Sequence, residues 1–407
     1  MFDAAVAACH PSRVVAPALP ARPTGRVIVV GAGKAAAAMA AAVEDAWRPP
    51  LSGLVVTRYG HGAATRFIEV VEAGHPYPDA AGEEAAARLL ACVRGLRAED
   101  FVLVLLSGGG SALTGLPLAP VTLSEKQAIT KGLIRSSASI GEINCVRKHL
   151  SAIKGGRLAA AAHPARLLTL AISDVAGDDP SVIASGPTVG DSTTQADARA
   201  VLAKYSVGVP ESVAAVLRDP THESVKPGDA RLALSEYRIV ARGADALAAA
   251  ADEAHRSGFE TQVIGVAIEG DARAVAHAHA EIALSAAPTR PLLLLSGGEL
   301  TLTVSGQGRG GRNREYLLGM ARALNGARGI FALAADTDGI DGSDDVAGAW
   351  IGPDTLSRAA ALGLDPAAFS AANDSGGFFS ALGQEVVTGP TRTNVNDFRA
   401  ILVMPGV

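Results

Sequence analysis

Short apolar runs alternate with alanine-rich stretches along the whole chain. RVIVV (26–30) leads into GAGKAAAAMAAAVEDAW; GLVVT (53–57) and FIEVVEA (67–73) come next. A helical run over 79–95 that Asp79 could cap then precedes FVLVLL (101–106). A helix is expected to open at Ser124, with Gln127 at the spacing of a capping box, and LLTLAI (167–172) reads as another buried strand. Alternation of this kind predicts an α/β protein with parallel strands. Between about 205 and 232 the pattern lapses into polar VPESVAAVLRDPTHESVKPGDA, read as a connection between two domains, 1–225 and 233–407. A second α/β set runs through YRIV (237–240), TQVIGVA (261–267), PLLLLS (291–296), LTLTV (300–304), GIFALAA (329–335) and RAILV (399–403).

The 407 residues suit two domains, and 48% apolar against 19% charged residues is a core-forming balance outside the disordered class. A net charge of −5 speaks against a broad nucleic-acid surface, so any cationic site must be local. Cys9, Cys92 and Cys145 form no C-x-x-C pair and read as free thiols of a reducing compartment. MFDAAVAACHP lacks the basic start of a signal peptide, and no run approaches ~18 strongly apolar residues. A cytoplasmic protein without a membrane span is expected.

Two strands stop on glycine turns, LVLLSGGGSAL (103–113) and LLLLSGGELTL (292–302), and neither carries the lysine of a phosphate loop. The three glycines of the first let backbone curl around an anion, with Ser107, Gly108, Gly109, Gly110 and Ser111 as candidate contacts. For the second, with Gly298 and Glu299, an ordinary tight turn is a serious rival. VVGAGKAA (29–36) passes a loose G-x-G-x-x-A filter, with Gly33 at the turn. The next strand, however, ends Val56-Thr57-Arg58, with no acid about 20 residues on to hold a ribose. Lys34 stands where a dinucleotide would crowd it; the bland reading is a solvated first turn.

Further on, NCVRKHLSAIKGGRLA (144–159) places Ile143, Val146, Leu150 and Ile153 on one helical face. Asn144, Arg147, Lys148, Ser151 and Lys154 gather beside it, and no acid interrupts the cations. Phosphate contact and a wet face are both open. Two aspartate clusters follow buried strands: Asp174, Asp178 and Asp179 in SDVAGDDP, and Asp336, Asp338, Asp341, Asp344 and Asp345 in ADTDGIDGSDD. Carboxylates at strand ends suit Mg²⁺ bound with phosphates. Turn preference alone explains Asp341 and Asp344 well, Asp174 and Asp338 less well. SGQGRGGRNREYLLGMA sets Arg309 and Arg312 at a helix start, where arginine opposes the dipole unless an anion joins it. The core face of that helix is Tyr316, Leu317, Met320 and Leu324. His277 and His279 lie two apart, and neither H-E-x-x-H nor G-x-S-x-G occurs, which disfavours zinc and serine-hydrolase chemistry.

Glycine turns, cations and strand-end carboxylates together form the toolkit of phosphoryl transfer. VVGAGKAA, LLSGGGSA, NCVRKHLSAIKGGRLA, SDVAGDDPSVIASGPT, LSGGELT, GRGGRNRE, DTDGIDG and TNVND also resemble, in order and over nearly the whole chain, the glycerate 2-kinases of the MOFRL type. The resemblance implies ATP-dependent phosphorylation of D-glycerate at its 2-hydroxyl with Mg²⁺ or another divalent ion. It also implies two α/β domains, the N-terminal one Rossmann-like with a mainly parallel sheet, and an active site in the cleft between them. Functional roles then fall on Lys34, on Asp174 or Asp178, and on Arg312. Gly33, Ser107 to Ser111, Asn144, Arg147, Lys148, Lys154, Gly298, Glu299, Arg309, Asn313 and Asn394 become binding candidates, and Asp174 with Asp338 metal candidates. The rival reading is an NADP-dependent hydroxypyruvate reductase built on the Gly31–Gly33 turn and Arg58, a label that members of the family carry. A non-catalytic sugar-phosphate sensor is a third, and the oligomeric state stays open, a homodimer included.

Overall fold

A computed structural model describes residues 1–342 and 344–406. Its strands are β1 (Val27–Ala32), β2 (Ser52–Arg58), β3 (Ile68–Ala73), β4 (Phe101–Leu106), β5 (Arg166–Ile172), β6 (Ser235–Ala241) and β7 (Glu260–Gly265). β8 (Gly270–Asp271), β9 (Leu292–Gly298), β10 (Leu300–Thr301), β11 (Ile330–Asp336), β12 (Gly348–Ile351), β13 (Glu385–Val386) and β14 (Asp397–Val403) complete them. Two six-stranded sheets result, ordered β3-β2-β1-β4-β5-β6 and β13-β12-β11-β14-β9-β7, and β8 pairs with β10 separately. The chain divides into two compact units, Pro11–Val240 and Met1–His10 together with Ala241–Val407.

In the first unit β1 to β5 run parallel. The central β1 and β4 are buried from end to end, as continuous apolar runs covered on both faces should be. The strand order is that of a doubly wound dinucleotide fold, whose ligands sit at the carboxyl ends where the order reverses, here between β1 and β4. Asp79 caps the helix Ala80–Cys92 by accepting the Gly82 N–H at 2.9 Å. The next long helix starts earlier than expected: Thr122 and Glu125, not Ser124 and Gln127, form the capping box of Leu123–Arg135.

The segment read as a connection is folded instead. Glu211–Arg218 is a helix that buries Val213, Val216 and Leu217 in a small core with Ile129, Leu133 and Val146. Its prolines flank the helix, and the polarity belongs to its outer face. YRIV likewise belongs to the first sheet, as β6 at its edge beside β5.

The second unit has a mixed sheet, not a parallel one. β7 and β9 are parallel, while β9, β14, β11, β12 and β13 alternate in direction. Helices Ala272–Ser285 and Arg312–Leu324 cover one face, and Tyr316, Leu317, Met320 and Leu324 enter the core as their spacing predicted. LTLTV is a strand only at Leu300–Thr301. The helix Phe2–Ala8 packs on Gly243–Arg256, with the Phe2 ring 5.7 Å from that of Phe398 in β14. Among the described residues no helix is long and apolar enough to cross a membrane.

Candidate active site

The turns after β1 and β4 interlock at the reversal point of the first sheet. The Lys34 N–H donates to the Gly108 carbonyl at 2.8 Å, and the Ala35 N–H to the Ser107 hydroxyl at 2.9 Å. Gly33 (φ +142°) lies so close that a Cβ there would stand 2.1 Å from Ser107 Oγ and 2.5 Å from its carbonyl oxygen. Ser107 is therefore fully buried and occupied by protein, so it is not the ligand contact expected of it. Gly109 (φ +84°) starts the short helix Gly110–Leu113. A Cβ there would meet the His75 ring at 3.0 Å and Lys34 Cγ at 3.5 Å, so the half-buried Lys34 stem runs over this glycine beside His75.

Below the turn lies a cavity of about 320 Å³ whose lining includes Gly109, Ser111, Lys126, Arg147 and Lys154, and no carboxylate. Lys154 is 1% exposed and donates to the Thr114 carbonyl and hydroxyl at 2.8 and 3.0 Å. Burial, with Lys126 and Arg147 adding like charge, holds its ammonium well below the usual lysine range. Burial also lowers Arg147, and it pushes Lys126, with Arg147 and Arg157 helping, from 10.5 down to about 7. Ser111 is backed by Ser185 at 2.8 Å, which bonds Asn144 at 3.4 Å. Ser185 (φ +61°) and Ala184 (φ +51°) both hold left-handed backbone, a strain of ~1–3 kcal/mol each that their buried surroundings sustain.

The Lys126 environment carries a pH signature. Its folded-state pKa lies below the unfolded value, so the unfolded chain binds the proton more tightly and stability rises with pH between them. The ligand-free protein should gain up to ~1.4 kcal/mol per pH unit from this group, between about 7 and 10.5. Thermal unfolding across that window checks it; Lys126→Met should flatten the rise, and an equally steep profile in the variant would refute the assignment.

Asp174 is half-buried just past β5; burial first, then the charges of Asp179 and Asp174, raises the pKa of the half-buried Tyr237 hydroxyl. Asp178 is half-buried in the loop beyond, with φ +55°.

In the second unit Arg312 is the centre of an acidic knot. Nε donates to Asp397 at 2.8 Å, Nη1 to Glu299 at 2.9 Å and Nη2 to Asp336 at 2.8 Å. Burial opposes its charge, but Asp397, Asp336 and Glu299 hold the guanidinium well above the ordinary arginine range. Asn313 is fully buried and donates to Asp397 at 2.8 Å. Asp341 is more than a turn residue: it accepts the Asn313 and Arg314 N–H groups at the helix start and pairs with the Arg314 guanidinium at 3.1 Å. Asp338 is buried in its own turn, with Oδ1 accepting the Ile340 N–H at 2.8 Å. The buried Asn394 accepts the Asn396 N–H at 3.3 Å, and Arg309 is exposed, its own N–H bound to Asp374 at 3.1 Å. Gly298 closes β9, which runs through both of its glycines without a following helix, so the two SGG motifs are unlike structures.

The 144–154 stripe splits in two. Its helix ends at His149, and Lys154 reaches the cavity from the turn beyond. Lys148 does not line that cavity; it forms a buried pair with Asp191 at 2.8 Å. Lys126, inside the stretch read only for its Ser124–Gln127 capping spacing, was not singled out from sequence, nor was Ser185, whose role needs backbone angles. Asp397 hid at the start of an apolar strand.

Residues 1–218 match the family model described as a domain of unknown function, DUF4147, and 292–397 match the MOFRL family. A protein of Agrobacterium vitis, provisionally named a hydroxypyruvate reductase, is 53% identical over 99% of this chain and 93% of its own length. The D-glycerate 2-kinase of Thermotoga maritima is 41% identical over 96% of this chain and 94% of its own. A crystal structure of a T. maritima glycerate kinase superposes with a TM-score of 0.89 at 39% identity, covering 99% of this chain and 97% of that one.

Proposed function

The chain belongs to the glycerate kinase family whose members carry the MOFRL domain, and on that footing we propose that it transfers the terminal phosphoryl group of ATP to the 2-hydroxyl of D-glycerate. The products are 2-phospho-D-glycerate and ADP. One observation carries the reading beyond likeness: three buried or half-buried cations with no acid among them converge beneath the Gly109 turn, at the reversal point of the sheet. A phosphorylated substrate supplies the negative charge that this arrangement lacks.

Lys34 is assigned to the charge that develops on the moving phosphoryl group. Its backbone is fixed by Gly108, so the ammonium is presented from a rigid turn. Asp174 orients or deprotonates the attacking hydroxyl. Arg312 is the cation of the second unit in this scheme: of five N–H bonds, three are spent on carboxylates and two stay available for an anion.

Mg²⁺ is the metal that such a reaction calls for. Among the described residues no three His, Cys, Asp or Glu side chains form a metal-binding group, but Mg²⁺ with phosphates needs only one or two carboxylates. Asp174, half-buried just past β5, could supply one of them, and Asp338, buried with Oδ1 accepting the Ile340 N–H, is the other candidate. When bound, the ion neutralises phosphate charge.

The name of the A. vitis relative favours a second reading, a reductase using NADPH. Against it, the Gly33, Lys34 and Ala35 N–H groups already donate to Val56, Gly108 and Ser107, so a pyrophosphate finds no amides in that turn. Phosphorus NMR after incubation with ATP, Mg²⁺ and D-glycerate should show 2-phosphoglycerate, while NADPH absorbance with hydroxypyruvate should stay constant. Steady NADPH oxidation without phosphoglycerate would overturn the proposal.

A further inference from the structure

We infer that the cavity beneath the Gly109 turn is the seat of the nucleotide, with Lys126, Arg147 and Lys154 taking its phosphates and an apolar wall taking its nucleoside. The inference rests on the kinase reading and says which of the two substrates fills this space.

Charge decides first. Three buried or half-buried cations, Lys126, Arg147 and Lys154, line the cavity together with the exposed Lys131 and with His75, and without a carboxylate; Arg147 has no hydrogen bond or ion pair among the described residues. A three-carbon acid brings one negative charge and would leave the others unbalanced at low dielectric. A polyphosphate brings enough for all three. Lys154 gives two N–H bonds to Thr114 and gains a third, for an anion, when protonated; Lys126 makes one long bond of 3.4 Å to the Leu116 carbonyl. Besides one another, Arg157 and the distant carboxylate of Glu83 are the charged groups acting on these lysines, and Glu83 is the weakest influence on Lys126.

Size and lining agree. About 320 Å³ lies in the range of small-molecule sites and is several times what glycerate occupies. Pro76, Tyr77, Pro78, Leu123 and Ile134 form the apolar wall, and Tyr77 and Ile134 are 64% and 52% exposed. Lys131 sits 5.5 Å over the Tyr77 ring and holds it in place. The cationic end borders Gly109 and Ser111, on the side of Lys34, so the terminal phosphate would point toward the residue assigned to its transfer.

Calorimetric titration of the full chain with ADP, at about pH 8 in buffers of different ionisation enthalpy, tests this. The parent should take up protons on binding, because a polyanion restores the ammonium form of lysines held low by burial. Arg147→Met and Lys154→Met should each weaken ADP roughly tenfold or more, and Lys154→Met should also reduce proton uptake. Methionine keeps the stem volume; at position 147 it removes a cation without an ion partner, and at 154 it also gives up two bonds to Thr114, so the unfolding midpoints of both variants are measured alongside. The KM for glycerate should not change. ADP bound as tightly by both variants as by the parent would overturn the inference and leave the kinase reading intact. If the variants lose ADP but the parent yields no phosphoglycerate, the cavity assignment stands and the glycerate reading falls.

Discussion

Arg312→Ala should destabilise the second unit by about 3–5 kcal/mol at neutral pH. The substitution strips one guanidinium from Asp397, Asp336 and Glu299, and the first two are buried. Asp397 keeps Arg399 at 3.1 Å and Asn313 at 2.8 Å, so its loss is partial; Asp336 loses its ion pair with Arg312 and keeps the Asp338 N–H at 3.0 Å. The penalty has a predictable pH course. Buried carboxylates deprived of this guanidinium are more easily protonated in the folded variant than in the folded parent, so the deficit should shrink as pH falls toward the carboxylate range. Denaturant unfolding of parent and variant at neutral and mildly acidic pH checks both points. Arg312→Lys keeps the charge without the three-way fork and should lose less stability. A variant as stable as the parent would mean that the knot contributes nothing.

The second large effect concerns turnover. Lys34→Met should lower kcat by about 10²–10³ while leaving the unfolding midpoint almost unchanged. Stability is spared because the turn is held by the backbone N–H of residue 34, by the Ser107 hydroxyl and by the close fit of Gly33, none of which the substitution removes. Arginine at this position should not restore activity, since a planar guanidinium cannot follow the stem across Gly109 beside His75. Steady-state kinetics with glycerate alongside thermal unfolding separates the two quantities. Turnover above a tenth of the parent would remove Lys34 from the mechanism.

Much of the first unit was legible because its strands are short, wholly apolar runs separated by alanine-rich helices. β6 was not, because an edge strand such as YRIV looks the same whichever sheet it joins; only pairing beside β5 decides. The polar stretch at 205–232 misled because a short amphipathic helix between prolines shows too little periodicity to stand out. In the second unit, direction of pairing was invisible: alternation of apolar runs says nothing about antiparallel return. For the site, motifs of one sign were readable and compensation was not. The acid-free spacing left phosphate contact and a wet face both open for Arg147, Lys148 and Lys154; Arg147 and Lys154 line the cavity, while Lys148 between them meets Asp191, forty-three residues on in sequence. Lys126 shows the converse, a cation that its sequence context did not single out and that burial reveals.

The packing of Phe2–Ala8 on Gly243–Arg256, with Phe2 against Phe398, has a consequence for biosynthesis. The Phe2 ring must wait for β14, made almost four hundred residues later, before it finds shelter, while everything from Pro11 to Val240 is already free to fold as the ribosome proceeds. During that interval the apolar face of Phe2–Ala8 is left without its partner, and it is there that a chaperone would be expected to hold the nascent chain.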